Sequence, residues 1–111
     1  MATHQMKLKS EYFKHILRGT KTVECRLFDE KRKLLKVGDI IEFSDASAPH
    51  KKLLMEISAL HLFPSFSALF DHFPANSFGG EKKDEFIFNM EKIYPREEEK
   101  KYGVIAIELK K

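Results

Sequence analysis

Gly19-Thr20-Lys21-Thr22-Val23-Glu24-Cys25-Arg26-Leu27 is the stretch on which the fold turns. A glycine closes a helix-patterned segment, and behind it the apolar residues change period from about 3.6 to about 2. Val23, Cys25 and Leu27 alternate with Thr22, Glu24 and Arg26, the pattern of a strand buried on one face. Upstream, Ser10 reads as an N-cap, with Phe13, Ile16 and Leu17 on one helical face and Gly19 as the stop. Before that helix, His4–Leu8 reads as a short opening strand.

Downstream, Asp29–Lys36 is a polar, basic loop with room for one helical turn. Val37-Gly38-Asp39 signals a turn, Ile40–Phe43 a strand, and Asp45–His50 a loop. Leu53–Leu62 predicts a long strand with Leu53, Met55, Ile57 and Ala59 on one side and Leu54, Leu60 and Leu62 opposite. Pro64-Ser65 opens a helix running to Phe73. A second helix, Glu81–Tyr94, carries the stripe Phe86, Met90 and Ile93. Pro95 starts a third, short helix that Gly103 ends, and Val104–Leu109 is the last strand. Five strands without βαβ alternation predict an α+β domain whose mostly antiparallel sheet curls into a small barrel with flanking short helices.

Composition sets wider bounds. At 111 residues the chain is expected to form one domain over residues 1–111, large enough to fold without disulfide or metal. Twenty basic against 17 acidic residues leave +3, a mild excess that permits nucleic-acid contact without demanding it. Cys25 has no second cysteine to pair with. The start lacks the apolar core of a secretory signal, and no apolar run nears the roughly 20 residues of a membrane span. A cytoplasmic protein with no membrane partner is the expectation.

The quoted stretch, together with Lys36-Val37-Gly38-Asp39-Ile40-Ile41-Glu42-Phe43, Pro64-Ser65-Phe66 and Tyr102-Gly103-Val104-Ile105-Ala106-Ile107-Glu108, resembles the ASCH family. The opening form of that family is G-x-K-T-x-E-x-R-L, and the match runs in order over nearly the whole chain. The resemblance implies a PUA-like barrel with a cleft that binds RNA or a modified nucleoside. It also implies an enzymatic alternative, an amidohydrolase acting on N4-acetylcytidine through a lysine, a threonine and a distant glutamate. Lys21 matches that lysine and Arg26 a family arginine. Glu24 stands where the hydrolases carry threonine, putting a charge in place of a neutral hydroxyl. Glu81 is the nearest candidate for the distant glutamate.

The candidate catalytic groups are therefore Lys21, Glu24 and Glu81. The candidate ligand- or nucleic-acid-binding groups are Lys21, Glu24, Arg26, Lys31, Arg32 and Tyr102. A lysine works as a base only where burial or neighbouring cations suppress its charge, and a carboxylate beside it suits anion binding better. Arg26 matches phosphate in a two-pronged geometry and stacks on a base. Lys31 and Arg32 belong to a basic loop able to track a nucleic-acid backbone. Lys21, Glu24 and Arg26 also have an alternative reading as a structural ion network. The five histidines show no metal-ligand spacing, so neither metal nor cofactor is expected. Binding of RNA or a nucleotide, hydrolysis of a modified nucleoside or of RNA, and docking of a protein partner remain the three function classes.

Overall fold

The computed structural model describes residues 2–111. Its order is β1 (Thr3–Leu8), α1 (Ser10–Arg18), β2 (Val23–Leu27), β3 (Ile40–Asp45), β4 (Ala48–Phe63), α2 (Phe66–His72), α3 (Lys83–Ile93), α4 (Arg96–Tyr102) and β5 (Val104–Lys110). The strands form one sheet in the order β1-β3-β4-β5-β2. The β1–β3 pair is parallel and the other three are antiparallel. The sheet curls into a half-barrel, making an α+β domain with β1 and β2 as the two edges of the sheet.

Two apolar clusters hold this shape. Inside the curl, α1 inserts Phe13 and Ile16 against Met6, Ile41, Phe43, Ile57, Ile105 and Ile107. On the outer side of β2 and β5, Val23, Cys25, Leu27, Val104 and Ala106 meet Phe66, Leu69, Phe70, Phe78, Phe86 and Met90. The rings of Phe70 and Phe78 stack at 4.9 Å between centroids. Residues directly paired across a ladder point to the same side. Glu24 pairs with Ile107 and Arg26 with Ile105, so the polar side of β2 faces the inside of the curl. The expected half-buried strand is covered on both faces, and Glu24 is buried with its apolar neighbours.

Several expectations shift in detail. Lys9, not Ser10, occupies the N-cap of α1, and the Ser10 hydroxyl donates instead to the Asp45 carboxylate. The predicted loop 45–50 shrinks to a tight turn because β4 already begins at Ala48. In β4 the register shifts between Ile57 and Ala59. One extra residue reverses the alternation beyond it. Leu60 thereby packs against the inner cluster, while Leu54 and Leu62 are exposed. On α1 Leu17 is exposed, and on α3 Ile93 stands half-exposed at the edge of a cavity.

Gly103 carries α4 into β5 with φ +71° and ψ −174°, a backbone region open almost only to glycine. A Cβ there would also lie 3.2 Å from the Phe63 carbonyl oxygen. Gly103→Ala is expected to cost about 2 kcal/mol in urea unfolding, the middle of the usual range for such strain. A change below about 0.5 kcal/mol, the size of an ordinary surface substitution, would contradict it.

Candidate functional site

The site lies where the curl brings the two sheet edges, β1 and β2, to face each other. Among the described residues no backbone ladder joins these strands. A side chain bridges them instead: Arg26 Nη2 donates to the Lys7 carbonyl at 2.9 Å. The same guanidinium grips Glu24, with Nη2 at 2.9 Å and Nε at 3.3 Å from Oε2.

Glu24 is the hub of this arrangement. Its Oε1 accepts from the Cys25 backbone N–H at 2.9 Å and lies 3.8 Å from Lys21 Nζ. Burial would raise the Glu24 pKa, but Arg26, Lys21 and the Cys25 N–H outweigh it and hold the carboxyl below the usual range. For Arg26, burial pulls the pKa down but the charge of Glu24 prevails, leaving the guanidinium above its ordinary value. Lys21 is 5% exposed. Its ammonium lies 5.5 Å from the centre of the Tyr12 ring and 5.8 Å from that of Phe78, and it has no hydrogen-bond acceptor among the described residues. At 3.8 Å Glu24 supplies charge without a hydrogen bond, leaving three N–H groups to be satisfied.

These groups line a cavity of about 310 Å³. Lys7, Leu8 and Lys9 from the end of β1, Tyr12 from α1, and Lys21, Glu24, Cys25 and Arg26 from the β2 segment form its base and sides. Phe86, Met90 and Ile93 of α3 and Tyr94 just after it cover the cavity, and Glu81 joins from the segment just before that helix. Glu81 Oε1 accepts from Asn89 Nδ2 at 2.6 Å, and the Asn89 amide also reaches the Tyr12 hydroxyl at 3.5 Å. Burial, with Glu81 and Glu11 nearby, pushes the Tyr12 phenol up to about 12, so it stays a neutral donor. Burial likewise pushes the Cys25 thiol up to about 12, which leaves it an inert wall residue.

Lys21, Glu24, Arg26 and Glu81 thus share one cavity. Lys31 and Arg32 do not reach it; they line a neighbouring groove on the far side of Arg26. Tyr102 packs against the outer apolar cluster, away from both. Tyr12, Asn89 and Tyr94 were not singled out in the sequence. Tyr12 sits beside Phe13 in a helix whose apolar stripe accounts for the turn, and its position over Lys21 appears only in three dimensions. Among the described residues no group of His, Cys, Asp and Glu is arranged to hold a metal ion. No helix among them is long and apolar enough to cross a membrane.

The ASCH domain family model matches residues 6–111. The crystal structure of hypothetical protein PH0355 is 32% identical, with 97% of each chain covered and a TM-score of 0.86. The solution structure of a Pyrococcus furiosus protein is 33% identical over 97% of this chain and 96% of that one, at a TM-score of 0.76. An ASCH domain from Lactobacillus crispatus shares the fold at 16% identity and a TM-score of 0.67, over 98% of this chain and 79% of that one. No curated protein matches the chain significantly.

Glu24→Gln would leave Lys21 and Arg26 as two nearly buried cations without their shared carboxylate. The expected loss is about 3 kcal/mol in denaturant unfolding, the scale for breaking a buried ion pair. Because the folded pKa of Glu24 is depressed, its contribution is complete above the unfolded carboxylate value, about 4.3, and disappears as pH falls toward the folded one. The wild type should therefore lose more stability than Glu24→Gln as the pH falls below about 4.3, where the unfolded carboxylate takes up a proton that the folded one does not. Parallel acid profiles would contradict this assignment.

Proposed function

The chain belongs to the ASCH domain family, and from that premise we propose that the cavity between β1 and β2 binds a nucleobase, presented by RNA or by a modified nucleotide. The observation that carries this reading is the ammonium of Lys21, nearly buried in the wall of a cavity and without an acceptor among the described residues. An ammonium that opens onto a cavity with no protein acceptor is free to donate to a carbonyl or ring nitrogen of a ligand.

The rest of the lining suits the same ligand. Tyr12, Phe86 and Tyr94 provide aromatic walls for a flat ring. Pockets for small organic molecules typically start near 300 Å³. The edge of a base offers acceptors beside exocyclic donors. Lys21 and the Tyr12 hydroxyl answer the acceptors, and Glu81 answers a donor. Glu24 is the weaker candidate for that last role, because Cys25 and Arg26 already occupy its oxygens. Its part is to hold the two cations in place.

A second reading, hydrolysis of an acylated base amine, draws on the presence of Lys21, Glu24 and Glu81 in one cavity. Water would attack the acyl carbon, with Lys21 stabilising the developing oxyanion. Glu81 would take the water's proton and pass it to the departing exocyclic amine of the base as the acyl C–N bond breaks, releasing the carboxylic acid.

Titration with labelled RNA and with a nucleoside panel is expected to give saturable, salt-dependent binding. Arg26→Ala should weaken it about tenfold, which is about 1.4 kcal/mol. Lys21→Met should weaken it at least as much while keeping the fold, judged by circular dichroism. Absence of saturable binding by either ligand class would contradict the proposal. Release of acetate from N4-acetylcytidine that vanishes in Lys21→Ala would put hydrolysis in its place.

A further inference from the structure

On the far side of Arg26 lies a second hollow, a groove of about 400 Å³ that the proposed function leaves unused. Lys7 and Arg26 belong to the walls of both, so the groove and the base cavity adjoin. Lys31, Arg32 and Lys52 complete its basic lining, and Glu42 is its one carboxylate among the described residues. Asp29 and Glu24, which pair with Arg32 and Arg26 from outside the groove, bring the balance to five positive charges against three negative. Neither Lys7 nor Lys31 enters an ion pair among the described residues.

Arg32 adds a more specific sign. Asp29 fixes it twice, accepting from its Nη1 at 3.0 Å and from its backbone N–H at 3.2 Å. Its Nε, by contrast, is buried with no acceptor in the protein among the described residues. A buried N–H without a partner is unfavourable. The Nε itself is shielded from solvent, so an anionic oxygen would meet this guanidinium at its terminal nitrogens, where the surplus positive charge of the groove favours it.

We infer that this groove takes the phosphate of the nucleotide whose base enters the neighbouring cavity. The ligand is then a phosphorylated nucleotide or a unit within a strand, not a free nucleoside. The inference rests on the nucleobase reading of the cavity and extends it. Arg26, shared by the two hollows, holds the place between base and phosphate where the sugar passes.

The test compares a nucleoside with its 5′-monophosphate, its 3′-monophosphate and a dinucleotide by calorimetry at fixed salt. At least one phosphorylated form is expected to bind ten times more tightly or better. The monophosphates and the dinucleotide separate a terminal phosphate from a phosphodiester. The exposed pair Lys31→Gln and Lys52→Gln, made together, should reduce the affinity of that form to that of the nucleoside. In parallel, the Nε–Hε signal of Arg32 is followed by NMR during titration with ribose 5-phosphate, and a saturable shift is expected. Equal affinity for nucleoside and nucleotides overturns the inference and leaves the nucleobase reading standing. A saturable Arg32 shift with ribose 5-phosphate, and no tighter binding of any nucleotide than of ribose 5-phosphate, supports the groove as an anion site and removes the nucleobase reading. Silence in both experiments overturns both.

Discussion

One carboxylate, that of Glu24, holds two cations in the place where an open sheet comes nearest to closing. A charge buried alone is far more costly than one buried with partners. Neither Lys21 nor Arg26 could stay inside the curl without the carboxylate, and Glu24 could not stay ionised there without them. The three side chains form a single electrostatic unit. Its position follows from the register of β2 against β5, which turns Glu24 and Arg26 toward the interior.

The open edge of the sheet makes a ligand cavity possible. Had β1 and β2 paired along their lengths, backbone hydrogen bonds would have closed the barrel and side chains would have filled its interior. Here Arg26 reaches across to the Lys7 carbonyl, and α3 covers the space from above. The gap is spanned by a guanidinium, a group that binds carboxylate on one side and remains suited to phosphate on the other. Aromatic and apolar residues form much of the enclosure, and the polar groups are few and fixed. The Glu81–Asn89–Tyr12 chain fixes two further polar groups of the lining, Glu81 and Tyr12.

The sequence disclosed the skeleton better than the site. The change of period after Gly19, the turn at Val37-Gly38-Asp39 and the alternation in Val104–Leu109 are local signals, and each corresponds to an element of the fold. The phase of β4 beyond Ile57 was not legible, since a bulge leaves no mark in the pattern of Leu54, Leu60 and Leu62. The depth of Glu24 was hidden for a related reason. A polar residue on an alternating strand reads as solvent-facing until the curl of the sheet is known. Lys21 and Arg26 were found through their place beside Gly19 and the family resemblance. Tyr12 in the cavity wall and Asn89 behind it meet from separate helices, 77 residues apart in the chain, and no local pattern connects them. Lys31 and Arg32 were identified as basic, but their groove depends on Lys7 and Lys52 from other strands.

The central claim is that the Lys21 ammonium waits inside the cavity for an acceptor supplied by a ligand. NMR observation of the lysine ammonium groups tests it most directly, because each Nζ signal reports its own hydrogen bonding and solvent exchange. On addition of a short RNA the account predicts that the Lys21 signal shifts in a saturable way and its exchange with water slows. A Lys21 signal left unmoved while the exposed lysines shift would place binding on the outer surface and contradict the account.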